Sequence, residues 1–244
     1  MLDPGPLAVV AAALLIGSIL NSMVGFGFAL VTVPLMAVAV GPKDAVVLSA
    51  MYGLLSNGGV AVRHRSDVDV PVARRLFLGS LAGMPAGLVV LVVVPAAPLQ
   101  VAISVTVLVA VVVLARGWVL PDPHPAVDVG AGLCSGALNT SVGVSGPPVI
   151  MDLHGRGTPK GPFRATAAAY FTASGVVALA LFGVAGRLEP GLAVSAALAL
   201  PAWPVGAVLG EQVHRRFPDE RFRSLVLVLL ALTALVTLGA ALAG

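Results

Sequence analysis

The sequence predicts an all-α protein that crosses a membrane several times, and two observations support this prediction. Of the 244 residues, 58% are hydrophobic and only 10% are charged, whereas soluble domains carry about 25% charged residues. The apolar residues also fall in long runs, and about 20 consecutive apolar residues make one membrane-spanning helix. The same composition excludes a secreted disulfide-linked domain, a disordered chain and a nucleic-acid-binding domain, so we expect no nucleic-acid partner.

Charged residues divide the chain into eight apolar segments. Six of these segments are 18–22 residues long, which fits one membrane-spanning helix each. The first and the fifth segments are longer than one span. The segments cover residues 6–40, 45–62, 76–94, 97–115, 126–151, 165–186, 190–210 and 224–243.

The first and fifth segments are interrupted near their middles by glycines and small polar residues. The interruptions are residues 21–27 (NSMVGFG) and 139–148 (NTSVGVSGPP). Glycine and proline break helices, and non-helical backbone at membrane depth must be enclosed by protein or line a cavity. We therefore expect each of the two segments to be a hairpin of half-helices. The alternative is one tilted, kinked helix in each place.

Rare residue types reveal an internal repeat. The only two tyrosines, Tyr52 and Tyr170, lie 118 positions apart, and so do Asn21 and Asn139. When the offset between the two halves is increased by one residue, residues 84–87 align with residues 203–206. The chain is therefore predicted to be one transmembrane domain with two repeats of four segments, residues 1–121 and 122–244.

The loop charges predict that the two repeats have opposite orientations. Three loops are rich in Lys and Arg, which places them in the cytoplasm by the positive-inside rule. Each of them matches a charge-poor loop in the other repeat, as inverted repeats require. We therefore expect a multi-pass protein of the cell membrane with both termini outside. The basic loops are residues 63–75, 154–164 and 211–223, and their partners are residues 185–190, 41–44 and 95–98.

Inverted repeats with broken helices near the midplane are typical of secondary transporters, which rock one repeat against the other. The second half-helix of each hairpin would begin near Phe28 and near Pro147. Free N–H groups and the helix dipole attract anions to such N-termini, and Ser145 is expected to cap the second one. The opposing carbonyl ends near Ser22 and Thr140 could bind a coupling cation. The sequence thus favours a carrier of small anions.

The duplication, the glycine-rich breaks and the downstream prolines (residues 25–34 and 143–147) resemble the TauE/SafE family, the sulfite exporter or toluene sulfonate uptake permease group. The resemblance covers essentially the whole chain. It implies transport of sulfite, sulfonates or other sulfur-containing anions across the cell membrane by alternating access. The chain departs from the family's glycine-rich break at Phe28 and Ser145, where glycines are common.

The candidate substrate site comprises the two hairpin tips and a polar stripe on the second and sixth segments. Each of these residues has an alternative role in holding backbone or neighbouring helices by hydrogen bonds. Asp152 is the candidate for coupling to a proton or a sodium ion. The substrate-site candidates are Asn21, Ser22, Gly25, Gly27, Tyr52, Ser56, Asn139, Thr140, Gly143, Ser145, Gly146, Tyr170 and Ser174.

Two other functions remain open at this point, namely a passive anion channel and an intramembrane serine protease. Residues 143–146 (GVSG) match the pattern around the serine of rhomboid-like proteases, but no histidine base lies in mid-span after Ser145. We therefore expect no enzyme activity, no cofactor and no metal. The expected partners are a small anionic substrate, a coupling proton or sodium ion and the lipid bilayer, with a homo-oligomer as an open option.

Overall fold

The computed structural model describes residues 2–24, 27–120, 124–214 and 219–243, and this part of the chain is helical without any strand. Six helical stretches within it are long and apolar enough to cross a membrane. The predicted all-α, multi-pass architecture is confirmed at this level. The helices are α1 (Pro4–Val24), α2 (Phe28–Val40), α3 (Pro42–Arg63), α4 (Val70–Val93), α5 (Ala96–Arg116), α6 (Pro125–Ser141), α7 (Gly146–Gly155), α8 (Lys160–Val184), α9 (Pro190–Ala199), α10 (Ala202–His214) and α11 (Asp219–Ala243).

The first segment folds back on itself as a helical hairpin. A Cβ atom added to Gly17 on α1 would overlap Cγ2 of Thr32 on α2, although a continuous helix would separate these positions by about 22 Å. Helix α2 has 13 residues and is about 20 Å long, too short to cross a hydrocarbon core of about 30 Å. It lies deep in the protein, since Val31, Val33 and Met36 are fully buried.

The fifth segment is also a hairpin. Asp128 at the start of α6 forms an ion pair with Arg156 at the end of α7, whereas a continuous helix would place them about 42 Å apart. Helix α7 has only 10 residues. The turn between the two helices contains Gly143, whose φ of 73° lies in the left-handed region. These contacts exclude a single kinked helix in either place.

The seventh segment differs from the prediction of one continuous helix. It forms α9 and α10, with a turn at Leu200 and Pro201 between them. Proline lacks the N–H group that would continue the helical ladder, and its ring clashes with the preceding turn. The third segment, α4, with which the predicted repeat aligns it, passes through Pro85 without a break. Proline alone therefore does not decide where the helix ends.

Glycines bring two pairs of helices into backbone contact. Cβ atoms added to three glycines of α4 would overlap carbonyl oxygens of α6, and those of two glycines of α10 would lie against carbonyl oxygens of α1. Small residues that let helix backbones approach closely are a common means of packing in membranes. The pairs are Gly79 with Val129, Gly83 with Leu133, Gly87 with Ala137, Gly206 with Leu15, and Gly210 with Ile19.

Polar contacts show which loops share an end of the bundle. At one end, Arg75 Nε lies 2.5 Å from Asp128 Oδ2, and the backbone N–H of Asp69 donates to Thr166 Oγ1 at 2.9 Å. At the other end, Arg187 lies 3.3 Å from Asp44. The loops around residues 64–69 and 156–159, which are basic, therefore lie together, opposite the charge-poor loops around residues 41 and 185–189.

Candidate functional site

A cavity of about 60 Å³ lies where the tips of the two hairpins meet helices α3 and α8. No charged side chain lines it among the described residues. Its polar lining comes from side chains of both hairpins and both long helices. These side chains are Asn21, Ser49, Asn57, Asn139, Ser145 and Ser174.

Seven of the sequence-predicted site residues line this cavity. Asn139 is 9% exposed and its amide has no hydrogen-bond partner among the described residues. The Asn21 amide also faces the cavity, but its Nδ2 donates to Ser56 Oγ at 2.7 Å. Gly25 lies outside the described residues. The seven are Asn21, Gly27, Asn139, Gly143, Ser145, Gly146 and Ser174.

The other predicted site residues lie away from the cavity. The Tyr52 hydroxyl donates to the Ala196 carbonyl at 3.0 Å, and the Tyr170 hydroxyl donates to Ser135 Oγ at 2.8 Å. Thr140 donates to the Met84 carbonyl at 2.6 Å. Ser56 accepts the hydrogen bond from Asn21, and Ser22 is not part of the lining. Most of these side chains thus hold helices together.

The sequence-based list of candidates left out two polar lining residues, Ser49 and Asn57, although Asn57 directly follows the candidate Ser56. They lie on one face of α3 together with Val46 and Gly53, at the spacing of three to four residues expected for a helix. The predicted stripe, Tyr52 and Ser56, lies on the neighbouring face of α3. The sequence did contain one indication of this lining face, because Asn57 is the third asparagine of the chain and the other two were already candidates.

The N-termini of both half-helices border the cavity, but they differ as hydrogen-bond donors. Phe28, Ala29 and Leu30 in the first turn of α2 all line the cavity, and N–H groups in a first turn have no partner within their helix. In α7, Gly146 keeps its N–H but is followed by Pro147 and Pro148, which have none. The richer source of backbone donors is therefore α2.

One detail of the second hairpin tip differs from expectation, and another limits which residues Gly143 can be replaced by. The Ser145 side chain makes no capping hydrogen bond to α7, so its hydroxyl is available to the cavity. A Cβ atom on Gly143 would lie 3.1 Å from Val33 Cγ2 and 3.3 Å from Val46 Cγ2. A larger residue at Gly143 would therefore strain the left-handed backbone and displace neighbouring helices, instead of only filling the cavity.

A buried ionic cluster lies two helical turns from the cavity, along α7. Asp128 is fully buried and pairs with Arg75 and Arg156. Asp152 is 2% exposed, and its Oδ1 lies 3.5 Å from Arg156 Nε. Within the described part of the chain, its Oδ2 has no hydrogen-bond partner. Among the described residues, no three His, Cys, Asp or Glu side chains are grouped as a metal site.

Comparison with known families decides the class of the protein. The family model described as sulfite exporter TauE/SafE matches residues 9–237. The chain belongs to the TauE/SafE family. This confirms the resemblance read from the sequence, and it makes the protein a multi-pass membrane transporter of a small-molecule substrate. Neither the curated proteins nor the solved structures contain a match to this TauE/SafE chain.

Proposed function

We propose that this protein is a secondary transporter that carries a small sulfur oxyanion through the cavity at the hairpin tips. The observation that carries the proposal is the meeting of two half-helix N-termini at one uncharged, polar cavity. Helix N-termini bind anions through free N–H groups and a partial positive charge of roughly half a unit each. A buried anion without a neighbouring Lys or Arg must be stabilised by such dipoles and hydrogen bonds.

The two hairpin tips contribute different numbers of hydrogen-bond donors to the cavity. The first turn of α2 offers the backbone N–H groups of Phe28, Ala29 and Leu30, whereas the α7 end contributes Gly146 N–H and the Ser145 hydroxyl. The Asn139 amide completes the site from the side. In this arrangement α2 supplies most of the electrostatic stabilisation, and Asn139 and Ser145 at the second hairpin tip supply the side chains that discriminate between anions.

The size of the cavity favours an inorganic anion over a bulky sulfonate. One water-sized group needs about 10–15 Å³ of such space, so a cavity of about 60 Å³ accommodates about four or five non-hydrogen atoms. Sulfite and sulfate are of this size, and p-toluenesulfonate is much larger. We expect sulfite, sulfate or methanesulfonate to compete for transport, and p-toluenesulfonate not to compete.

The two halves are proposed to be inverted repeats, an arrangement found in many transporters that work by alternating access. Two features support this. Positions of the cavity wall pair at a spacing of 118, and the helix contacts pair as well: α4 with α6 corresponds to α10 with α1, and α11 with α2 corresponds to α5 with α7. The wall pairs are Asn21 with Asn139, Gly27 with Ser145, Phe28 with Gly146, Gly53 with Phe171, and Asn57 with Gly175.

The membrane orientation is proposed from the basic loops. The positive-inside rule assigns the end with Arg75 and Arg156 to the cytoplasm of the cell membrane. The N-terminus then lies outside, since the backbone N–H of Leu2 donates to Ser195 Oγ near the charge-poor loop at residues 185–189. The C-terminal part of α11 lies on the same side, because Gln100 Nε2, close to the charge-poor loop at residues 95–98, donates to the Thr237 carbonyl at 3.3 Å.

Asp152 is the proposed coupling residue, with a proton or a sodium ion as its ligand. Its unpartnered, buried carboxylate oxygen lies on the same short helix whose N-terminus borders the cavity. Asp152→Asn should abolish gradient-driven accumulation of substrate and leave substrate exchange in place. Radiolabelled sulfite in proteoliposomes, assayed with and without a sodium gradient, measures both quantities, and internal pyranine reports any accompanying proton movement. Unchanged gradient-driven accumulation in Asp152→Asn would exclude this role.

The function is tested with purified protein in proteoliposomes. Radiolabelled sulfite should enter by a saturable route, and unlabelled internal sulfite should drive counterflow of the label. Protein-free liposomes are the control for leakage. A sulfite conductance that neither saturates nor shows counterflow would favour the anion channel, and no flux of any oxyanion would contradict the proposal.

A further inference from the structure

The helices assemble into two compact bundles that do not follow the sequence halves. The first bundle contains α1, α2 and α3 with α9 and α10, and the second contains α6, α7 and α8 with α4. The first bundle therefore takes three helices from the first half of the chain and two from the second, and the second bundle takes three from the second half and one from the first. Helices α5 and α11 pack against each other outside both bundles.

Polar contacts hold each bundle together. In the first bundle, Asn21 bonds to Ser56 at 2.7 Å, and Tyr52 bonds to the Ala196 carbonyl. In the second, Thr140 on α6 bonds to the Met84 carbonyl on α4, and Arg75 on α4 pairs with Asp128 on α6. The backbone contacts of the glycines on α4 and α10 also lie inside bundles.

The boundary between the bundles is closely packed, with Gly143 of the α6–α7 turn against Val33 of α2 and Val46 of α3, but buried polar contacts do not hold it together. Helices α3 and α8 form its main contact. There a Cβ atom on Gly58 would lie 4.0 Å from Thr172 Cγ2, and one on Gly175 would lie 3.7 Å from Leu54 Cβ. Among the described residues of the two bundles, no buried side-chain hydrogen bond crosses this boundary. Polar contacts that cross it, such as that of Lys43 Nζ with the Val92 carbonyl, lie at the outer rim.

The cavity lies on this boundary. Its lining comes from α1, α2 and α3 on one side, and from the α6–α7 turn and α8 on the other. A rotation of one bundle against the other would therefore change access to the cavity without disturbing either bundle. Rocking of the sequence halves would instead separate α4 from α6, breaking the Arg75–Asp128 pair and the Thr140–Met84 bond.

We propose that the moving parts of this protein are the two mixed bundles, with α3 against α8 as the sliding contact. This inference rests on the proposed transport function, since it describes how the cavity would be exposed to each side in turn. It differs from the expectation that one repeat rocks against the other, because α4 moves with α6–α8 and α9–α10 move with α1–α3.

Two disulfides in a Cys134→Ser background separate the two schemes. Gly58→Cys/Thr172→Cys joins the bundles through residues that do not line the cavity. Asp69→Cys/Thr166→Cys joins the two sequence halves inside the second bundle, where the Asp69 N–H and Thr166 Oγ1 lie 2.9 Å apart. Sulfite counterflow is compared before and after oxidation of each variant, so that each reduced form is its own reference.

Oxidation of the Gly58/Thr172 pair should reduce counterflow at least tenfold, and oxidation of the Asp69/Thr166 pair should change it less than twofold. If the Asp69/Thr166 disulfide also blocks counterflow, the sequence halves are the moving parts and the inference is overturned. If the Gly58/Thr172 disulfide leaves counterflow intact, the α3–α8 contact does not slide and the inference is overturned as well. Neither result would contradict the proposed transport function, because the reduced form of each variant measures counterflow independently of the disulfide.

A distance measurement tests the bundles without requiring any flux. Spin labels at Val62→Cys/Val184→Cys report on the boundary, and labels at Val93→Cys/Val129→Cys report on the second bundle. All four positions are exposed, and each pair spans roughly 20–25 Å along the helix axes. Electron–electron double resonance in lipid nanodiscs should give one narrow distance for the second pair and two populations, shifted by sulfite, for the first. A single narrow distance for both pairs would refute the inference even if sulfite were not the substrate.

Discussion

Hydrogen-bond partners divide the polar residues near the hairpin tips into two groups. Asn139 lines the cavity and its amide has no partner among the described residues, whereas its neighbour Thr140 is tied to the Met84 carbonyl. A buried polar group without a partner costs free energy unless a ligand or water satisfies it. Asn139 is therefore the side chain from which we expect the largest effect on substrate binding.

Asn139→Ala should raise the apparent Km and the Kd for sulfite by about ten- to a hundredfold. A hydrogen bond to a charged group is worth about 1.5–3 kcal/mol, and each 1.4 kcal/mol is about a tenfold change. The matched control is Tyr52→Phe, which removes a buried hydroxyl bonded to Ala196 away from the cavity. It should lower thermal stability slightly and leave Km unchanged. Equal Km values for Asn139→Ala and wild type would show that Asn139 does not contribute to substrate binding.

The sequence predicted part of the candidate site because rare residues mark it. Asn21 and Asn139 stand out in an apolar chain, and both line the cavity. The lining face of α3 could not be derived in the same way. One residue along a helix rotates the side chain by about 100°, so choosing between Tyr52 and Gly53 required knowing which neighbours α3 packs against. Tyrosine is the more prominent residue, but its hydroxyl serves a helix contact.

Helix packing in this protein depends on glycines at particular positions. Gly132 and Gly136 on α6 face α4, where added Cβ atoms would overlap the carbonyl oxygens of Leu76 and Ser80. Gly130 lies on the same helix, and nothing stands within 4 Å of the Cβ atom it would carry. We therefore expect Gly130 to tolerate a larger side chain and Gly132, two positions further along the helix, not to tolerate one.

Gly132→Ala should sharply reduce the yield of folded, monodisperse protein, because α4 and α6 must separate to accommodate the methyl group. Gly130→Ala should fold at least as well as wild type, since glycine in a helix costs about 0.5–1 kcal/mol relative to alanine. Fluorescence-detected size-exclusion chromatography after a temperature series measures both. Similar melting curves for the two variants would show that the α4–α6 contact is looser than the glycine positions indicate.

At the level of helices, the length of apolar runs and their interruptions predicted the two hairpins, and the contacts of Gly17 with Thr32 and of Asp128 with Arg156 confirm them. The break at Pro201 was not predicted. Proline inside an apolar run is tolerated in α4 at Pro85 and in α2 at Pro34. Whether a helix continues past a proline depends on how neighbouring helices satisfy the freed carbonyl groups, which the sequence does not state.

At the level of the whole molecule, the proposed orientation is testable by cysteine labelling. Single cysteines at Asp69 and Thr158, in a Cys134→Ser background, should be protected from an impermeant thiol reagent in intact cells. A single cysteine at Glu189 should react. After permeabilisation all three should react, which controls for local burial. Labelling of the Thr158 position from outside would reverse the proposed orientation of the α7–α8 loop.

The sequence also predicted the family, which residues 9–237 confirm. It did not predict that α4 packs with helices of the second half, or that α9 and α10 pack with helices of the first. Repeats in a sequence record duplication, whereas packing is decided by which surfaces complement each other. The glycine surface of α4 fits α6 from the opposite half.

The central claim is that the cavity between the half-helix N-termini holds the transported anion, and filling it tests this claim most directly. Gly53 on α3 lines the cavity, and a Cβ atom added there meets nothing within 4 Å. Gly59 on the same helix has equally open space around its added Cβ atom but does not line the cavity. Leucine at either position should therefore leave the fold intact.

The decisive measurement is the uptake of radiolabelled sulfite into proteoliposomes containing wild type, Gly53→Leu or Gly59→Leu, matched for folded protein. The account predicts that Gly53→Leu abolishes saturable uptake, because the leucine side chain occupies the space of the anion, and that Gly59→Leu transports like wild type. Uptake by Gly53→Leu with the Km and Vmax of wild type would contradict the account, because the anion would then pass through a different part of the protein.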